Sequence, residues 1–195
     1  MEKIKRALIS VSDKSGLLNL ARTLAALEVE ILSTGGTAKT LIEGGLKITE
    51  VAMYTGSPEI LDGRVKTLHP KIHAGLLYRR DRPEHKKQMA HLNFNPIDFL
   101  VVNLYPFEST TAQPNITLDE AIENIDIGGP CLLRAAAKNF DSVTVVCDSA
   151  DYDRVTAELK KTGHTSLTTR RTLAYKVFAR TSAYDQAIAE YLVRN

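Results

Sequence analysis

The chain has 195 residues, 44% of them apolar and 25% charged, with 25 basic against 23 acidic side chains. That length and balance fit one globular domain whose core needs no disulfides. A net charge of +2 excludes a polyelectrolyte surface that holds nucleic acid by its bulk field, and leaves a compact cation cluster serving a small anion.

The chain opens on MEKIKR, which lacks the apolar run and small-residue cleavage site of a signal peptide. No stretch approaches the ~20 apolar residues of a membrane span. A soluble, cytoplasmic protein without a membrane partner is expected. Residues 7–11 read as a strand, 16–27 as a helix and 29–32 as a second strand. A short helix is predicted over 37–43, stopped by Gly44-Gly45, with a third strand at 48–51. Residues 54–70 form the one long irregular stretch, and long ordered loops are often functional. FLVVNL at 99–104 and the run 143–147 are continuous apolar strands, which suit a sheet covered on both faces. Helices are expected over 118–125 and 130–138, the latter with Pro130 at its first position. The C-terminal third reads as helical, over 150–161 and 168–193. Cys131 and Cys147 make no disulfide framework and are expected buried and reduced. The alternation of strand and helix predicts an α/β fold, a single layered domain with a mostly parallel sheet and a helical C-terminal segment.

Four segments lie at carboxyl ends of predicted strands or in the long loop, and open α/β sheets bind ligands at that edge. Ser12, Asp13 and Lys14 end the first strand; hydroxyls, N–H groups and an ammonium at a helix start suit a phosphate, while a plain N-cap and a solvated lysine are the bland alternative. Thr34-Gly35-Gly36-Thr37 ends the second strand, and its glycines let backbone approach an anion. Neither the P-loop spacing nor the dinucleotide fingerprint is present. Arg64-Val65-Lys66-Thr67 puts cations in the long loop, beside His69. His69 and His73 are spaced for a metal, but Pro70 disfavours a helix there unless it starts one, and no metal is expected. Asn103 and Tyr105 follow the fourth strand, and the Asn103 amide can donate and accept to a heterocycle. Asp126 precedes Gly128-Gly129, where flanking N–H groups suit an oxyanion.

The strings SVSDKSGL, STGGTAKTL, GRVKTLHPKIHAGLL, NLYPF, IDIGGPCLLRAAAKN and ARTSAYD together resemble the IMP cyclohydrolase domain. That domain is the N-terminal half of the bifunctional enzyme whose other half is the AICAR transformylase. The strings span nearly all of the chain in family order; GRVKTLHP and IDIGG…AAAKN are specific, whereas STGGT alone is weak. The resemblance implies a methylglyoxal synthase-like fold over residues 1–195. It implies ring closure of 5-formamidoimidazole-4-carboxamide ribonucleotide to inosine monophosphate, with no cofactor and no nucleic-acid partner. A homodimer is implied, with a transformylase domain as partner in a full-length protein; Asn195 falls where that half would begin.

The resemblance assigns Ser12, Asp13, Lys14, Thr34, Gly35, Gly36 and Thr37 to the phosphate end. Arg64, Val65, Lys66 and Thr67 would line the nucleotide, and Val102, Asn103, Asp126, Ile127 and Gly128 the base end. Lys138 matches the family's catalytic lysine, with Lys66, Tyr105 and Asp126 as companions. In that scheme Lys138 moves protons with Asp126 and Tyr105, and Lys66 steadies the oxyanion. A straight helix ending at Lys138 poses a difficulty, since its ends lie roughly 13–15 Å apart. Reach-back, a shorter helix or a second subunit would each resolve it. Two rivals remain at this level: a regulatory nucleotide-binding module, and a lyase of the methylglyoxal synthase type.

Overall fold

A computed structural model describes residues 3–194; Met1, Glu2 and Asn195 lie outside the described residues. The elements run β1 (Arg6–Val11), α1 (Leu17–Ala26), β2 (Glu30–Ser33), α2 (Gly35–Glu43), β3 (Thr49–Glu50) and α3 (Val51–Thr55). There follow α4 (Pro70–Leu77), α5 (Pro83–His91), β4 (Phe99–Asn103), α6 (Phe107–Thr111), α7 (Leu118–Glu123) and α8 (Gly128–Lys138). The chain closes with β5 (Thr144–Val146), a 3-10 turn at Ser149–Asp151, α9 (Tyr152–Thr162) and α10 (Leu167–Arg194). One sheet of five strands takes the order β3-β2-β1-β4-β5, with every pairing parallel. The expected α/β architecture is therefore found, down to the helical C-terminal segment.

Two cores explain why the strands are apolar throughout. Side chains alternate across a strand. Leu8, Leu32, Leu100, Val102 and Val145 enter one core with Ile72 and Leu76 of α4, Leu132 and Leu133 of α8, and Val177 of α10. Ala7, Ile9, Ile31, Phe99, Val101 and Val146 enter the other, with Leu17, Leu20 and Leu24 of α1 and Val155 and Leu159 of α9. Helices thus cover both faces of the sheet.

Several boundaries differ from expectation. The third strand is only Thr49–Glu50, because Val51 already starts α3. The irregular stretch ends at Pro70, which opens α4 from its first position, where its missing N–H costs nothing. Pro130 is the third residue of α8, not the first; it still sits in the first turn, where N–H groups have no partner. Helices α3, α4, α5 and α6 were not expected. Both cysteines are free, but Cys131 is exposed and Cys147 half-buried, so neither is the fully buried thiol expected. No helix among the described residues is long and apolar enough to cross a membrane.

At the amino edge of the sheet, the Asp98 carboxylate accepts the N–H groups of Lys5 at 2.7 Å and Arg6 at 3.0 Å. It also pairs with Arg80 at 2.8 Å, the two side chains being 4% and 17% exposed. This ion pair ties the start of β1 to the segment that leads into β4. Removing one partner leaves a buried charge alone. Asp98→Ala should therefore lower unfolding stability by about 3–5 kcal/mol, read from urea denaturation.

Candidate active site

The chain builds β1, β2 and β3 on one side, then crosses to add β4 and β5 on the other. Strands β1 and β4 are neighbours whose following segments diverge, and such a switch point leaves a crevice at the carboxyl ends. The register brings those ends level, with Val11 opposite Asn103 and Ile9 opposite Ser33. A crevice of about 250 Å³ opens there, lined by Ser12 and Lys14 after β1, Thr34 to Thr37 after β2, and Val102 and Asn103 of β4. Lys66, Thr67, Tyr105, Asp126, Gly129 and Leu132 complete it. A second crevice of about 190 Å³ adjoins it, sharing Lys66, Tyr105 and Asp126 and adding Arg64, Ile127 and Gly128. Together the two reach the size range of small-molecule sites, roughly 300–1,000 Å³.

One end is built for an anion. Thr34 is the extended N-cap of α2, so both glycines fall inside its first turn rather than in a preceding loop. The first N–H groups of a helix have no partner within it and carry the positive end of its dipole. Gly35 takes φ +53°, a left-handed conformation that favours glycine. The Lys14 ammonium lies 4.0 Å from where a side chain on Gly36 would begin. The ammonium thus faces the helix start.

Two predicted ligand groups are already committed to backbone. The buried Thr37 hydroxyl accepts the Val11 N–H at 3.0 Å and donates to the Val11 carbonyl at 2.9 Å. Only its N–H remains for an anion. The Asn103 carbonyl oxygen accepts the N–H groups of Ser12 at 2.6 Å and Asp13 at 3.1 Å, while its amide nitrogen donates to the Asp13 carbonyl at 2.8 Å. Asn103 therefore shapes the Ser12–Asp13 loop; its carbonyl oxygen is committed there, and one of its two amide hydrogens is left for a heterocycle.

The other end is a carboxylate held against a helix start. The Gly129 N–H donates to Asp126 Oδ1 at 2.7 Å. A β-carbon at position 129 would come within 2.4 Å of Asp126 Oδ2, so the close approach requires glycine. Burial raises the Asp126 carboxyl above its ordinary value of 3.8, against the opposing pull of the Gly129 and Tyr105 backbone hydrogen bonds and the Lys66 charge. Tyr105 is 44% exposed, an accessible phenol rather than a core aromatic. Arg64 pairs with Glu123 across the outer crevice.

Several expected residues fall elsewhere. Asp13 lies outside both crevices, its carboxylate accepting the Ser15 N–H at 2.9 Å and hydroxyl at 2.7 Å. Val65 lines neither, because its backbone bridges Ile60. Lys138 is exposed at the far end of α8, whose first turn supplies Gly129, and it lines neither crevice. His69 caps α4 through Nδ1, which accepts the Lys71 N–H at 3.1 Å. Ser10, Val11 and Gly129, which belong to the expected segments, line the crevice, and Leu132 lines it without a sequence signal. One more distant contributor lines neither crevice: the Tyr184 hydroxyl accepts the Asp126 N–H at 2.8 Å.

Fold and site define a parallel α/β domain with an anion cradle and a desolvated acid in one crevice. The chain belongs to the MGS-like domain family, whose model matches residues 16–131. Residues 136–195 match the model of the AICARFT/IMPCHase bienzyme. The chain is 58% identical over 191 residues to the bifunctional purine biosynthesis protein PurH of Listeria welshimeri, covering 98% of this chain and 38% of that protein. It is 57% identical to PurH of Acetivibrio thermocellus, covering 97% of this chain and 37% of the relative. The chain thus spans somewhat over a third of these curated relatives. The crystal structure of ForH superposes with a TM-score of 0.87 at 34% identity, covering 95% of both chains.

A raised carboxyl pKa makes ionised Asp126 a burden on the fold. The folded state binds the proton more tightly than the unfolded one, so this group's contribution to stability falls as pH rises from about its ordinary value through the raised one. Asp126→Asn keeps an acceptor for Gly129 and carries no charge. The variant should be more stable than wild type at pH 7, with the difference vanishing toward pH 3. Denaturation of both proteins at the two pH values measures it; a variant less stable at pH 7 contradicts the burial.

Proposed function

We propose that residues 1–195 form one IMP cyclohydrolase domain that closes the ring of 5-formamidoimidazole-4-carboxamide ribonucleotide. The observation that carries this is the meeting of Lys66, Tyr105 and Asp126 where an amide-lined anion cradle opens into a second crevice. The cradle of α2 and Lys14 suits the 5′-phosphate, and the shared residues lie where the base would extend. The kinship with proteins called bifunctional purine biosynthesis protein PurH points to the same chemistry.

In the reaction the carboxamide nitrogen attacks the formyl carbon. One proton leaves that nitrogen and one leaves the formamide nitrogen. Both depart with the formyl oxygen as water, and a C–N bond closes the ring. The two groups are already tethered on one imidazole, which supplies much of the effective concentration. The protein holds the reactive rotamer, steadies charge on the formyl oxygen and moves protons. Lys66 and the amides opening α8 suit the oxyanion. Asp126, with its raised pKa, suits proton transfer beside the Tyr105 phenol.

Lys138 fits this scheme in only one way. Helix α8 is regular from Gly128 to Lys138, which sets its ends about 15 Å apart. A catalytic Lys138 would therefore serve the crevice of a second copy, which makes the working unit a homodimer. A transformylase partner domain in a longer protein belongs to the same proposal.

Conversion of the formamido ribonucleotide, followed by ultraviolet absorbance of inosine monophosphate, tests the activity. Tight binding of inosine monophosphate with no turnover would favour a regulatory module instead. For the subunit arrangement, Lys66→Ala and Lys138→Ala should each be nearly inactive alone. Their equimolar mixture after subunit exchange should regain about a quarter of wild-type activity, one intact site in each mixed dimer of a two-fold assembly. A mixture as inactive as its parts removes the shared site. Near-normal turnover in Lys138→Ala removes Lys138 from the chemistry.

A further inference from the structure

Helix α10 spans Leu167–Arg194 and lines neither crevice, yet one of its side chains touches the segment that carries Asp126. Tyr184 is 1% exposed. Its hydroxyl accepts the Asp126 N–H at 2.8 Å and donates to the Asn124 carbonyl at 3.5 Å. It therefore bridges two backbone groups of the turn between α7 and α8. Its ring packs edge-on against Phe107, with centroids 6.1 Å apart. Phe107 is buried, lies two residues past Tyr105, and also meets Tyr191 of α10 edge-on at 5.6 Å.

A phenol is unusual in such a place. The core it belongs to is otherwise aliphatic and aromatic, and phenylalanine would fill nearly the same volume. What the hydroxyl adds is an acceptor for an N–H that α8 cannot satisfy, since Asp126 precedes that helix. The Asp126 backbone is thereby fixed on one side by Tyr184, and its carboxylate on the other by the Gly129 N–H. Loss of the phenol oxygen would leave the N–H unpaired in a half-buried turn, which would then shift to reach water.

We propose that Tyr184 is a positioning residue: its hydroxyl sets the Asp126 turn, and its ring couples that turn to the segment carrying Tyr105. This rests on the cyclohydrolase reading for its effect on turnover, but not for the clamp itself. The Tyr184 hydroxyl bonds the Asn124–Asp126 turn and not the cradle of Lys14 and α2, so its effect should be confined to the reaction end.

The test is Tyr184→Phe, which keeps the ring packing. Three measurements are made on wild type and variant: hydrogen exchange of the Asp126 amide, affinity for ribose 5-phosphate, and kcat for ring closure. Exchange at Asp126 should speed up at least tenfold, and kcat should fall about five- to twentyfold, within the range of a misplaced proton-transfer group. Ribose 5-phosphate affinity should stay within twofold, as should the urea midpoint within a few tenths molar. Unchanged exchange at Asp126 overturns the clamp. Unchanged kcat with faster exchange overturns the positioning role. A parallel loss of stability, phosphate affinity and kcat would make Tyr184 a core residue only. Should the wild type fail to turn over the formamido ribonucleotide, the cyclohydrolase reading falls, while exchange at Asp126 still decides whether Tyr184 holds the turn.

Discussion

The site depends on how the chain leaves the sheet between β1 and β4. Parallel strands cannot be joined by tight turns, so each carboxyl end departs toward a helix on one face or the other. Where neighbouring strands depart in different directions, the backbone beyond the last paired residue loses its ladder. Asn103 repairs that loss. Its side-chain amide takes two N–H groups of the Ser12–Asp13 loop and gives one hydrogen back. The amide thus stands in for a further stretch of strand, and it fixes the loop from which Lys14 projects. Thr37 does similar work from the other side by exchanging two hydrogen bonds with Val11. Both residues look like ligand groups and act as carpentry for them.

The crevice divides its electrostatics in two. At one end, a helix start and Lys14 offer fixed positive potential that suits an anion. At the other, a carboxyl group is partly removed from water and balanced by a lysine and two amides. Its protonation is set by these opposing influences. The glycine pair at 128–129 makes this balance possible. Position 129 admits the carboxylate, and a side chain at 128 would come within 3.0 Å of the Thr67 hydroxyl.

The strands were legible because a sheet buried on both faces demands continuous apolar runs, and these stand out as FLVVN and RALISV. Helices α3 to α6 were not. Helix α5, PEHKKQMAH, buries only Met89 and shows no apolar stripe. Helix α6 is five residues long and carries no periodic signal. At the site, hydroxyl- and glycine-rich strings at strand ends marked segments that meet in the crevice, but not the work of each side chain. Whether the Thr37 hydroxyl faces a ligand or Val11 depends on a partner 26 residues away, and for Asn103 the partners lie some 90 residues off. Tyr184 shows the same limit. In helical periodicity it is a core aromatic, and only the packing of α10 against the turn after α7 shows its hydroxyl in use.

The sheet order also governs how the domain comes into being on the ribosome. Strand β1 is central, and Ala7 finds one partner early in Ile31 but the other only when Phe99 has emerged. Until then one long edge of β1 is unpaired, and the apolar face that α8 and α10 will cover lies open. Distant parallel pairing closes slowly, and such half-built sheets are prone to join other chains. Tyr184 lies on α10, which emerges after every strand of the sheet. A growing chain would therefore complete the Lys14 and α2 end of the crevice well before Tyr184 could clamp the turn that carries Asp126.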